Sequence, residues 1–268
     1  MRSTGRKYRK AEGRTENMKQ HITMLGFYVK NSFYKVLGVL LLMAAVEGAL
    51  FYFIGQRMVN QQLAGELRVV TLELIVEKAQ LDLVFIVAAV AIYILLFYSG
   101  KAKGSHPEYT LYRLKLTPRS VFLWQVVYCI GCFFLVWVVQ AAVAAGLGIY
   151  FVKTADPSLV TNQSLYLAFY RNEFLHALLP LKNVYGWITN LLFVIMLGIL
   201  TAYEAGYARK VTDHMLSAYG VILIGSNWFS RPGLGTMVLA IIIFIVAAGM
   251  AGYYVFVKGG WTLDATRK

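Results

Sequence analysis

The sequence predicts an all-α, polytopic membrane protein. It has six transmembrane helices, an N-terminal amphipathic helix lying on the membrane surface, and a short cytoplasmic helix between the second and third spans. Three observations lead there. First, apolar residues make up 59% of the 268-residue chain and charged residues only 15%, where a soluble domain carries about 25% charged residues. Second, the charges are missing in blocks: no Asp, Glu, Lys or Arg occurs in residues 83–100, 120–152, 183–203 or 232–257. A helix crosses a bilayer core with about 20 apolar residues. Residues 36–56 add a run interrupted only by Glu47, and residues 214–230 a shorter one. Third, the basic residues fall on alternate connections, as a multi-pass topology requires.

Taken from the start, residues 1–17 are basic and almost without apolar side chains, which predicts a disordered cytoplasmic tail. Nothing there resembles a secretory signal, so the first span is expected to persist in the mature chain. Over 18–35, Met18, Ile22, Leu25, Val29 and Phe33, continued by Val36, recur at steps of three and four. At about 100° per residue they form one stripe, the pattern of a helix lying among lipid headgroups. The membrane domain then occupies 36–257, with a cytoplasmic tail at 258–268.

With six spans, both termini share a side. The N-terminal segment, the 101–119 and 204–214 loops and the C-terminal tail carry 19 Lys and Arg, and the loops opposite carry 7. Both termini are therefore expected in the cytoplasm, in a cell membrane of bacterial plasma-membrane type. This asymmetry accounts for most of the net charge of +13. It suits anionic lipid headgroups and requires no nucleic acid partner.

Between the spans, Leu63, Leu67, Val70, Leu74 and Leu81 recur at helical spacing with Glu66, Glu73 and Glu77 among them, predicting an amphipathic helix outside the membrane. The 153–182 loop, rich in Leu, Tyr and Phe, is expected at the interface. In the third span Ala142/Gly146 and Ala144/Gly148 are small-residue pairs that allow close helix approach. Cys129 and Cys132 form a C-x-x-C inside that span, where hydrocarbon opposes a reactive thiolate, so they read as small packing residues.

Catalytic and cofactor motifs are absent. The chain has no G-x-x-x-x-G-K-[ST], and His21, His106, His176 and His214 fall on separate segments without metal-ligand spacing. "IGSNWFS" around Ser226 lacks both the G-x-S-x-G context and a histidine base within a span. The chain is accordingly expected not to be an enzyme by itself. Glu47 stands apart, because a carboxylate in a span costs a few kcal/mol. Either it faces the protein interior, lining a translocation path or a subunit contact, or it lies near the outer headgroups and is solvated.

The segment "HPEYTLYRLKLTPRS", residues 106–120, differs from both hydrophobic runs beside it. Ser105 and Glu108 fit a capping box, and Thr117-Pro118 opens the third span as N-cap and first helical residue. Between them Tyr109, Tyr112 and Leu116 share one helical face, and Leu111 and Leu114 lie nearly opposite. Arg113 falls on one border, Glu108 and Lys115 on the other. A helix resting on lipid needs one apolar face; this one has two. One would pack on its own membrane domain and the other meet a cytoplasmic partner, unless the helix is buried entirely in its own fold.

Glu108, Thr110, Leu111, Leu114, Thr117, Pro118 and Ser120 resemble the coupling-helix run of type-2 ABC exporter permeases, roughly E-x-x-G-T-L-x-x-L-L-x-x-P-x-S before the third span. Tyr109 stands where that family often has Gly, and Gln125 where a Lys often follows. The six-span layout, the N-terminal surface helix and the cytoplasmic termini are similar too. The resemblance implies the transmembrane subunit of an ATP-driven exporter, as a homodimer or as a heterodimer with a similar permease, embedded in membrane lipid. ATP would be bound and hydrolysed by a separate ABC ATPase subunit, and no cofactor by this chain. Glu108, Tyr109, Leu111, Tyr112, Arg113, Leu114 and Leu116 would transmit the ATPase's closure, and Glu47 would border the path. Family substrates range over drugs, antimicrobial peptides, polysaccharides and haem. The rival readings are a non-transporting scaffold or sensor, and a secondary transporter, which usually needs more ionisable residues within its spans.

Overall fold

The computed structural model describes residues 2–64, 70–100, 118–154, 162–181, 183–207 and 234–253, all helices and their short connections. The cytoplasmic helix expected over residues 106–117, the span expected over 214–230 and the tail at 258–268 lie outside the described residues.

Helix α1 runs unbroken from Arg2 to Leu63. Its 62 residues extend about 93 Å at 1.5 Å per residue, three times what a bilayer core requires. The sequence suggests boundaries near 17 and 35; the backbone places none there. No proline occurs in this stretch and its glycines stand singly, and a lone glycine weakens a helix by only about 1 kcal/mol. What changes along α1 is its surroundings. Met24, Ser32, Val36, Leu40, Met43, Glu47, Phe51 and Met58 are buried, at spacings that keep them on one stripe. The stripe expected to face headgroups lies largely off this seam: Val29 is exposed and Leu25 and Phe33 are half-buried.

After α1, the short helix α2 (Leu72–Ala79) opens with Thr71 as N-cap, its side chain accepting from the Leu74 N–H at 3.4 Å. It buries Leu72, Ile75, Val76 and Ala79. Of the residues expected on the apolar face, Val70 and Leu81 are buried, Leu74 is half-buried and Leu63 is exposed. Gln80 closes α2 in the left-handed region (φ 48°, ψ 48°). The chain reverses there into α3 (Leu81–Gly100).

Helix α4 (Pro118–Thr154) follows, then α5 (Asn162–Arg171), α6 (Glu173–Leu178), α7 (Val184–Tyr207) and α8 (Leu234–Gly252). Four helices are long and apolar enough to cross a membrane: α1, α3, α4 and α7. Among the described residues the sixth expected span is represented by α8, whose apolar stretch Met237–Val246 is shorter. The described part therefore establishes four such helices, not six.

The four close a ring in which α1 packs on α3 and α4, and both of these pack on α7 and touch each other; α8 lies against α7. Inside the ring the core includes Phe85, Ile92, Phe133, Val136, Phe193 and Met196, all buried. The outer faces are apolar as well, with Leu41, Phe53, Val87, Val138, Leu191 and Ile242 exposed, as expected where lipid is the solvent. The helices also approach closely at one point. A Cβ added at Gly198 of α7 would sit 2.8 Å from the Ile130 backbone N and 2.9 Å from its Cα, on α4.

Helices α1 and α4 overrun the bundle at the end opposite the 101–117 connection. There Ile75 of α2 lies under Gly55 of α1, and Leu165 of α5 and Leu72 of α2 close over Gly148 of α4. Of the two small-residue pairs expected to support packing, only Ala144/Gly148 does so. Ala142 and Gly146 are exposed, and no atom lies near a Cβ added at Gly146.

Candidate functional site

Polar side chains are scarce inside the ring, and several of those found there tie two helices together or bond to their own helix. At the end near the 101–117 connection, Ser32 of α1 donates to the Tyr28 carbonyl at 2.9 Å. With its single proton committed there, Tyr128 of α4 is left to donate to Ser32 Oγ at 2.8 Å. The Tyr28 and Tyr128 rings stack over one another with centroids 5.9 Å apart. Toward the same end, Tyr93 of α3 donates its hydroxyl to Glu204 Oε2 of α7. Both residues are buried.

The opposite end is closed by α6. Asn172 caps it, its Oδ1 accepting from the Leu175 N–H at 3.1 Å. Phe174, Leu175, Ala177 and Leu178 are buried. Two side chains from the long helices reach its carbonyls: Trp137 Nε1 of α4 donates to Leu178 O at 3.1 Å, and Asn190 Nδ2 of α7 to Ala177 O at 2.8 Å. Carbonyls at the end of a short helix have no partner within it, so these two donors permit α6 to sit among apolar helices. The 153–182 loop, expected at the interface, thus sends its second half into the bundle.

Glu47 and Gln140 meet one turn past Trp137 along α4, further from the Ser32–Tyr128 contact than the side chain that reaches α6. Gln140 Nε2 donates to Glu47 Oε2 at 2.9 Å. Both residues are 0% exposed. Of the two readings that the sequence left for Glu47, the interior one describes its position; it does not lie against solvent. The remaining oxygens, Glu47 Oε1 and Gln140 Oε1, are buried without a hydrogen-bond partner. Two buried acceptors at one interhelical contact can receive a proton, a water or a donor group of a ligand.

The other chemistry considered from sequence finds no assembly here. Among the described residues no group of three or more His, Cys, Asp or Glu is placed to hold a metal. Cys129 and Cys132 are buried in α4 without a disulfide, in the packing role expected of them. His176 stacks edge-on with Tyr170, centroids 5.6 Å apart. Ser226 lies outside the described residues, as do Glu108, Tyr109, Leu111, Tyr112, Arg113, Leu114 and Leu116.

Apart from Glu47, the polar residues of this interior are not singled out by the sequence as parts of a site. Gln140 is the one amide in the second half of the 120–152 run, and an isolated amide in a span is a signal that could have been weighed. Glu204 lies one residue past a charge-free run and so read as loop, whereas α7 continues to Tyr207. Tyr93 and Gly198 carry no local signal, since only their partners on other helices give them a role.

No protein-family model, characterised protein or solved structure shows significant similarity to this chain.

Proposed function

We propose that the chain is the membrane-spanning subunit of an ATP-driven ABC exporter, powered by a separate ATPase subunit. The observation that carries this reading is the segment between α3 and α4. Its sequence fits a capping box at Ser105/Glu108, would give two apolar faces in a helix, and ends in Thr117-Pro118, a pattern similar to the coupling helix of type-2 permeases. The ring of four helices long enough to span a membrane is compatible with it. In this reading the 106–118 segment lies in the cytoplasm and docks on the ATPase. The ring, paired with a second copy or a similar chain, borders the path, and α6 closes the outer end next to Glu47 and Gln140.

A secondary transporter is favoured by one observation: two buried carboxylates, Glu47 and Glu204, lie on the apolar helices, where proton-coupled carriers need them.

Purification of the tagged chain from its native membrane in a mild detergent separates the two. The exporter reading expects a stoichiometric partner bearing a P-loop, with ATP hydrolysis in the purified complex. Recovery of the chain without an ATPase, together with uptake or efflux driven by a proton gradient in vesicles lacking ATP, would refute it.

A further inference from the structure

The two oxygens left over where α1 meets α4 bear on the chemical state of the contact. With Gln140 Nε2 already donating to Glu47 Oε2, what remains is Glu47 Oε1 and Gln140 Oε1, both buried and unpartnered. A carboxylate and an amide carbonyl are acceptors only, so these two oxygens cannot satisfy each other. A buried polar atom left without its hydrogen bond is unfavourable, more so when it carries charge.

One proton resolves both deficits. Placed on Glu47 Oε1, it turns that oxygen into a donor toward Gln140 Oε1. The carboxyl and the amide then form a two-bond ring, N–H to Oε2 and O–H to Oε1, and the net charge of the pair falls to zero.

Among the described residues no ion pair reaches the Glu47 carboxyl, and the titratable groups of α6, which packs on α4, are Glu173 and His176. On α1 the nearest basic residues are Lys35 and Arg57, and on α4 Arg119 and Lys153; the closest, Arg57, is about 15 Å away along the helix axis. Residues 83–100 of α3 and 183–203 of α7 carry no charge. Asp82 of α3 and Glu73, Glu77 and Lys78 of α2 belong to the outer layer. From α4, Cys132 lies two turns away from Gln140.

We propose that Glu47 and Gln140 form an intramembrane proton-binding site, with Glu47 a neutral carboxylic acid that donates to Gln140 Oε1. Protonated, the pair joins α1 to α4 by two hydrogen bonds; ionised, by the Gln140 Nε2–Glu47 Oε2 bond alone. A movement that parts these helices and admits water favours the ionised carboxylate, so helix separation and proton release are linked. This inference stands on the described helices and does not depend on the exporter reading.

Infrared spectroscopy of the purified protein in lipid tests it, comparing the parent with Glu47→Gln and Gln140→Leu in H2O and in D2O. The parent should show a protonated-carboxyl C=O band that shifts on deuteration and is missing in Glu47→Gln. In Gln140→Leu the same band should persist and move to higher frequency, because its hydrogen-bond acceptor is gone. Glu47→Gln should unfold at nearly the parental temperature, since two amides close the same ring. Loss of a carboxylate band in Glu47→Gln, with the protonated region unchanged, would overturn the proposal in favour of an ionised Glu47 held by water or a bound cation. If Glu47→Gln does not accumulate, the parent and Gln140→Leu decide alone: an unmoved protonated-carboxyl region overturns the proposal.

Discussion

Gly198 of α7 and Ile130 of α4 touch backbone to backbone. A Cβ on Gly198 would meet the Ile130 N at 2.8 Å and its Cα at 2.9 Å, distances at which the main chain of one helix must move. Gly198→Ala is therefore expected to destabilise the bundle by about 1–3 kcal/mol, the usual penalty for overpacking. Gly146→Ala, on α4 with open space around it, should be neutral or slightly stabilising through helix propensity. Thermal unfolding of the two variants in detergent checks both; equal midpoints for Gly198→Ala and the parent would mean that α4 and α7 are not in contact here.

Tyr93 and Glu204 join α3 to α7 by one buried hydrogen bond. Tyr93→Phe keeps the ring and removes only the donor, leaving a buried acceptor short, which costs about 1–3 kcal/mol. Glu204→Gln retains an acceptor for the tyrosine and should cost less. A double-mutant cycle on unfolding midpoints should give a clear coupling between the two positions, and additive effects would show that the bond contributes nothing.

Helix α6 enters the bundle because Trp137 and Asn190 serve its last carbonyls. Asn190→Leu should leave Ala177 O without that donor and loosen the 162–181 segment. Faster hydrogen–deuterium exchange is expected over 173–179, with exchange in α3 unchanged. Parental rates at 173–179 would show that apolar packing alone holds α6.

Topology follows from the 19-to-7 division of basic residues. Single cysteines at Gln61 and Gln163, both exposed, in a background with Cys129 and Cys132 replaced, should react with an impermeant thiol reagent in intact cells. One at Lys103 should not. Labelling at Lys103 with protection at the other two would invert the orientation.

The proposed coupling helix has two apolar faces, and they should fail differently. Leu111→Asp with Leu114→Asp places charge in one contact, and Tyr109→Asp with Tyr112→Asp in the other. An unpaired charge in a packed contact costs about 3–5 kcal/mol, enough to abolish a modest interface. The pair facing the partner should leave a folded membrane protein that no longer retains or couples its ATPase; the inward pair should lower the amount of folded chain. Parental binding and coupling in both would remove this segment from the transmission path.

Some of this protein is decided by composition and period alone. Charge-free runs long enough to cross hydrocarbon are legible because a bilayer penalises each charge individually, without reference to neighbours. Helices α3, α4 and α7 accordingly begin and end close to where residues 83–100, 120–152 and 183–203 place them. Helix α4 begins at Pro118, the first helical position that the sequence suggests. What sequence could not decide is which face of each helix turns inward. In water the apolar face marks the core, but here both faces are apolar, and periodicity loses its meaning. The seam on α1 therefore runs through Ser32 and Glu47 and not along the stripe through Val29. Partnership is likewise a property of the assembled bundle. Glu47 is conspicuous in the sequence, but Gln140 lies 93 residues further on, and only the packing of α1 against α4 makes one the hydrogen-bond donor of the other.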